Sequence, residues 1–126
     1  MYIQYQTVTL EGIKKTADIM YGIYEIEHSD NVPFKRWVWT SDVFGGSLQK
    51  IDAIDFRIKS PIDNVLIVND KVKFYLKKDI LCNLRINTTN YTELKMKLDE
   101  PYKIDNDPRD LGIIIFGVSV GSTELF

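Results

Sequence analysis

Apolar and polar residues alternate with period two along most of the chain. Ile54, Phe56 and Ile58 share one phase, while Asp55, Arg57 and Lys59 take the other. Val72, Phe74 and Leu76 alternate with Lys71, Lys73, Tyr75 and Lys77. Cys82, Leu84 and Ile86 alternate with Asn83, Arg85 and Asn87, and Leu94, Met96 and Leu98 with Glu93, Lys95, Lys97 and Asp99. Successive side chains of a strand point to opposite faces, so each pattern describes a strand with one buried and one wet face. Cys82 falls in the apolar phase and reads as a buried, inert thiol. Residues 64–69 and 112–118 are nearly all apolar, which places them centrally or under cover on both faces. Residues 22–27 and 34–40 are also strand-like.

The breaks between runs agree. Asn69-Asp70 fits a tight hairpin. Gly45-Gly46, Ser60-Pro61 and Asn87 to Asn90 interrupt the other runs, and residues 105–108 form a polar loop before the last strand. No stretch sustains a helical stripe beyond a short turn within residues 105–111. About eight strands, spaced roughly ten residues apart, predict an all-β domain. The expected architecture is a two-sheet antiparallel sandwich of jelly-roll type, with alternating apolar faces packed together. Without a repeat or linker, residues 1–126 form one domain.

Composition narrows the function. The chain has 126 residues and a formal net charge of −2, with cations and anions interspersed. A nucleic-acid binder concentrates positive charge on one face. The lysines of residues 71–78 alternate with apolar residues and read as the wet face of a strand. A single cysteine allows no intrachain disulfide. No leader-like N-terminal segment or membrane-length apolar run is present. These features point to a cytoplasmic protein without a membrane span, in which the sequons at Asn87 and Asn90 are turn residues.

Catalytic chemistry is sparsely represented. His28 is the one histidine and sits beside Ser29-Asp30 in an apparent loop. One cysteine and one histidine do not make a zinc site, and no glycine-rich phosphate loop occurs. The carboxylates Asp99, Glu100, Asp105, Asp107 and Asp110 lack the spacing of a helix-loop-helix calcium loop and read as a solvated acidic loop. The expectation is a non-catalytic protein without cofactor or metal.

The segment Phe34-Lys35-Arg36-Trp37-Val38-Trp39 stands out. As a strand it places Trp37 and Trp39 on one face and Arg36 and Val38 on the other. The tryptophans fit a core role, favoured for at least one of them, or a flat platform for a sugar ring. Arg36 finds a plausible partner in Glu25, and Arg109 lies between Asp107 and Asp110.

The order of Gly22–Glu27, Arg36-Trp37-Val38-Trp39-Thr40, Phe56–Pro61, Val65–Asp70, Pro101 and Asp107-Pro108-Arg109-Asp110-Leu111-Gly112-Ile113 resembles β-sandwich accessory modules. Such modules accompany bacterial glycosyltransferases and other surface-polysaccharide enzymes, and are similar in outline to galactose-binding-like jelly rolls. The resemblance spans residues 20–120 and is carried mostly by the Arg-Trp and Asp-x-Arg-x-Leu-Gly pieces. It implies a non-catalytic, glycan-binding role in polysaccharide biosynthesis. Glu25, Arg36, Trp37, Asp107 and Arg109 fall on the recurrent positions, and Trp39 joins them as a stacking surface. Structural ion pairs and core packing would give the same recurrence. The competing role is a protein-interaction module that docks a glycosyltransferase or pairs with itself.

Overall fold

The computed structural model describes residues 2–3, 20–28, 36–47, 52–89, 91–121 and 123–124. Ser29, Asp30, Phe34, Lys35 and Asn90 lie outside the described residues. The strands are β1 (Tyr2–Ile3), β2 (Met20–His28), β3 (Arg36–Ser47), β4 (Ala53–Lys59), β5 (Asn64–Val68), β6 (Val72–Leu76), β7 (Cys82–Asn87), β8 (Glu93–Leu98), β9 (Ile114–Val120) and β10 (Thr123–Glu124). Eight of them have five or more residues, and every strand pair is antiparallel. No helix occurs among the described residues.

The strands form one hydrogen-bonded sheet rather than two separate ones. β3 is the reason. One of its edges pairs with β2. Its other edge pairs first with β9, at Val38 and Trp39, and then with β8, from Val43 to Ser47. Two wings therefore leave β3, one ordered β8-β5-β6 and the other β9-β4-β7. They curl toward each other into a half-barrel, in place of the expected jelly-roll sandwich. The wings meet at a bridge between Ser60, just past β4, and Lys78, just past β6, where Asp79 N–H also donates to Ser60 O at 2.7 Å.

Thr40 marks the corner where β3 changes partners. It is fully buried, and its N–H donates to Ile113 O at 2.9 Å. Gly112 N–H donates to Thr40 O at 2.7 Å, and Ile113 N–H to Thr40 Oγ1 at 3.0 Å. A Cβ on Gly112 would run into Ser41 O, so the close approach of the two backbones requires glycine here. Gly45-Gly46 does not interrupt β3 as expected. Both residues lie inside the strand, and a Cβ on Gly45 would run into Leu94 O of the neighbouring β8.

The core gathers the inward phases of both wings: Ile54, Phe56 and Ile58, Leu84 and Ile86, Leu94, Met96 and Leu98, with Leu66, Val68 and Ile115. Burying each such side chain contributes about 1.5–3 kcal/mol. Cys82 packs against this core but is only half-buried. β5 is held at both ends by asparagine. Asn64 donates to Glu100 O at 2.8 Å and accepts from the N–H groups of Val65 and Glu100 at 2.9 and 3.1 Å. Asn69 donates to Glu93 O at 3.1 Å and accepts from Lys95 N–H at 2.6 Å. Asn69 and Asp70 take φ of 50° and 59°, the left-handed backbone of the expected tight turn. Asn87 Oδ1 accepts from Thr89 N–H at 3.0 Å, an Asx turn at the first sequon.

Candidate functional site

β3 presents Val38 and Thr40 to the core, so Trp37 and Trp39 stand together on the outer face. Both are half-buried and neither belongs to the core, contrary to the expectation for at least one of them. The inward phase is already filled by Val38 and Thr40. Arg36 starts the strand and is exposed. The register sets His28, not Glu25, opposite Arg36. His28 thus closes β2 instead of sitting in a loop.

A bulge shapes the outer face beside the tryptophans. Ile23 pairs with Thr40 and Ile26 with Val38, so Tyr24 and Glu25 together stand opposite Trp39. Such bulges re-aim side chains. Glu25 is exposed, while Tyr24 is half-buried.

The loop between β8 and β9 supplies the rest. Tyr102 and Leu111 exchange backbone hydrogen bonds of 2.7 and 2.9 Å, which close residues 103–110 into a loop. Tyr102 stacks on Trp39, with ring centroids 6.1 Å apart and planes 8° from parallel. The Arg109 guanidinium lies 4.9 Å from the centre of the Tyr24 ring, a cation–π contact. Tyr24 hydroxyl donates to Asp110 O at 3.1 Å. The fold therefore brings Trp39, Asp107 and Arg109 into one region with Tyr24 and Tyr102, two residues that carry no signal in the sequence.

Two ion pairs form within this loop. Arg109 donates from Nε to Asp107 Oδ1 at 3.0 Å and from a terminal nitrogen to Oδ2 at 2.7 Å, and its backbone N–H reaches Asp107 Oδ1 at 3.0 Å. The Arg109 side-chain bonds, then its backbone N–H, hold the Asp107 carboxyl at about 2, below the ordinary 3.8. Lys103 Nζ lies 2.8 Å from Asp110 Oδ1. A carboxylate this acidic is a poor proton carrier near neutral pH. Among the described residues, no group of three or more His, Cys, Asp or Glu side chains could hold a metal ion.

Glu27 is a further residue that the sequence does not single out. It pairs with Trp37 across β2 and β3, on the face that carries Trp39. Its Oε2 is buried without a hydrogen-bond partner among the described residues, and its charge is felt by Arg109. A buried acceptor in this condition is costly until a donor reaches it.

A shallow basin of about 620 Å³ lies elsewhere, over β4 and β9. Its rim includes Asp55, Arg57, Asn83 and Phe116. Asp55 is bound by Arg85 through two hydrogen bonds of 2.8 and 3.0 Å, which lower its pKa.

Comparison of the chain with protein-family models, with curated proteins and with solved structures finds no match. No helix among the described residues is long and apolar enough to cross a membrane.

Proposed function

We propose that the protein is a non-catalytic, carbohydrate-associated module whose glycan-contacting surface is the outer face of β2 and β3 together with the 102–111 loop. One observation carries the reading. The aromatic side chains of Trp37, Trp39, Tyr24 and Tyr102 are half-exposed together, and the half-buried Glu27, paired with Trp37, brings a carboxylate to the same face. Sugars offer both complements, C–H faces for aromatic rings and hydroxyl donors for a carboxylate. The Arg109–Asp107 pair shapes the loop that brings Tyr102 onto Trp39. The link to bacterial surface-polysaccharide biosynthesis rests on the order of motifs in the sequence.

Tryptophan fluorescence, titrated with a panel of bacterial surface polysaccharides, tests this reading. A saturable change should be lost in Trp39→Ala and Glu27→Gln, each first shown to be folded by circular dichroism. Absence of any response, with calorimetry also silent, removes the glycan reading.

A second reading is a protein-interaction module that docks a glycosyltransferase or a second copy. It is favoured by Val72, Tyr75, Ile80 and Leu81, four exposed large hydrophobic residues on β6 and the segment that follows it.

A further inference from the structure

β6 and β7 end the two wings, and their outer edges pair with no other described strand. The wings touch at Ser60 and Lys78 and separate toward the β5–β6 turn. Burial along β6 follows this widening. Leu76, Phe74 and Val72 share the inward phase, yet Leu76 is 7% exposed, Phe74 is half-buried and Val72 is 46% exposed. The open end is a groove of about 400 Å³, walled by Val72 and Phe74 on one side and by Ile86 and Tyr91 on the other.

The other phase of this edge carries Lys71, Lys73, Tyr75 and Lys77, all exposed, and the exposed Lys78 follows just past the strand. None of these four lysines forms an ion pair with a described carboxylate. The edge therefore offers three things at once: backbone that pairs with no other described strand, a groove beneath it with apolar walls at Val72, Phe74 and Ile86 and polar groups at Arg85 and Asn87, and a row of cations above it.

We infer that the β6 edge accepts an extended peptide strand in which acidic residues alternate with apolar ones. This deepens the second reading above, on which it rests, by naming the chemistry of the partner. Strand addition draws affinity from main-chain hydrogen bonds and selectivity from alternate side chains. Apolar side chains of the guest would enter the groove and cover Val72 and Phe74. Its carboxylates would stand across from Lys71 and Lys73. A second copy fits poorly, because β6 against β6 opposes lysine to lysine, and β6 against β7 opposes lysine to Arg85. Like charges directly opposite each other destabilise a strand pair.

The test uses end-capped, fluorescein-labelled peptides and reads anisotropy with the full chain. One peptide alternates Glu with Val, one alternates Lys with Val, and one has the Glu-Val composition in two blocks. The alternating Glu-Val peptide should bind saturably and more weakly as salt rises. Val72→Glu, at a position exposed enough to keep the fold, should abolish binding. The double variant Lys71→Glu/Lys73→Glu should weaken it about tenfold and admit the Lys-Val peptide, because each cross-strand pair turns repulsive for the first peptide and attractive for the second. Equal binding of the block peptide, indifference to Val72→Glu, or no binding of the alternating peptide would each overturn the inference. Dimers seen by sedimentation and lost in Val72→Glu would overturn it in favour of a second copy while sparing the second reading. If neither peptide binding nor self-association depends on Val72, that reading falls as well.

Discussion

Thr40 and Ile113 exchange two hydrogen bonds, one to a backbone oxygen and one to a buried hydroxyl. This exchange sits where β3 leaves β9 for β8, and it fixes the corner from which both wings curl. Thr40→Val keeps the shape of the side chain and removes the acceptor of Ile113 N–H. Urea denaturation should show a loss of roughly 1–3 kcal/mol, the cost of a buried donor left without a partner. Gly112→Ala should cost at least as much, at the upper end of or beyond the roughly 1–3 kcal/mol of overpacking, since backbone rather than a flexible side chain blocks the new Cβ.

Asn64 ties the start of β5 to the end of β8. Asn64→Ala removes the acceptor for two backbone N–H groups and the donor to Glu100 O. A destabilisation of roughly 1–3 kcal/mol is expected. Hydrogen exchange at the amides of Val65 and Glu100 should accelerate more than at Ile54 or Ile58 in the other wing.

The Asp107–Arg109 pair has a defined acid signature. The folded-state pKa of Asp107 lies below its unfolded value, so the stability it contributes is fully present above about pH 4. It is lost as pH falls from there through about 2. Carboxyl NMR titration should find Asp107 at about 2 in the native protein and close to the ordinary 3.8 in Arg109→Gln. An unchanged value in the variant would mean that another cation holds the carboxylate.

Burial along β6 predicts an uneven response to truncation. Leu76→Ala should cost about 2–5 kcal/mol, as for buried leucines. Val72→Ala, in the same phase of the same strand, should stay within about 0.5 kcal/mol of the parent, as for surface positions. Equal losses in thermal or urea melts would show that the groove is closed in solution.

Several elements are legible in the order of residues. The inward phases at 54, 56 and 58, at 84 and 86, and at 94, 96 and 98 are buried as the alternation requires. The Asn69-Asp70 turn follows from residue types that tolerate positive φ. Other readings fail for identifiable reasons. Gly45-Gly46 resembles a break, but backbone crowding against β8 selects glycine inside a strand. Val72 belongs to the apolar phase, but the opposing wing diverges at its position. Tyr24, Tyr102 and Glu27 carry no signal, since their roles depend on a bulge and a loop that unite residues far apart in the chain.

Alone, the sequence determined that the chain is built of antiparallel strands and which side of each strand faces inward, because side-chain alternation and turn chemistry are local properties. Only the tertiary structure decided what lies opposite each face. The partner change of β3 at Thr40 makes one curled sheet out of runs that would equally build two. That choice folds Tyr102 and Arg109 over the β2–β3 surface, and leaves β6 and β7 as open edges of the half-barrel.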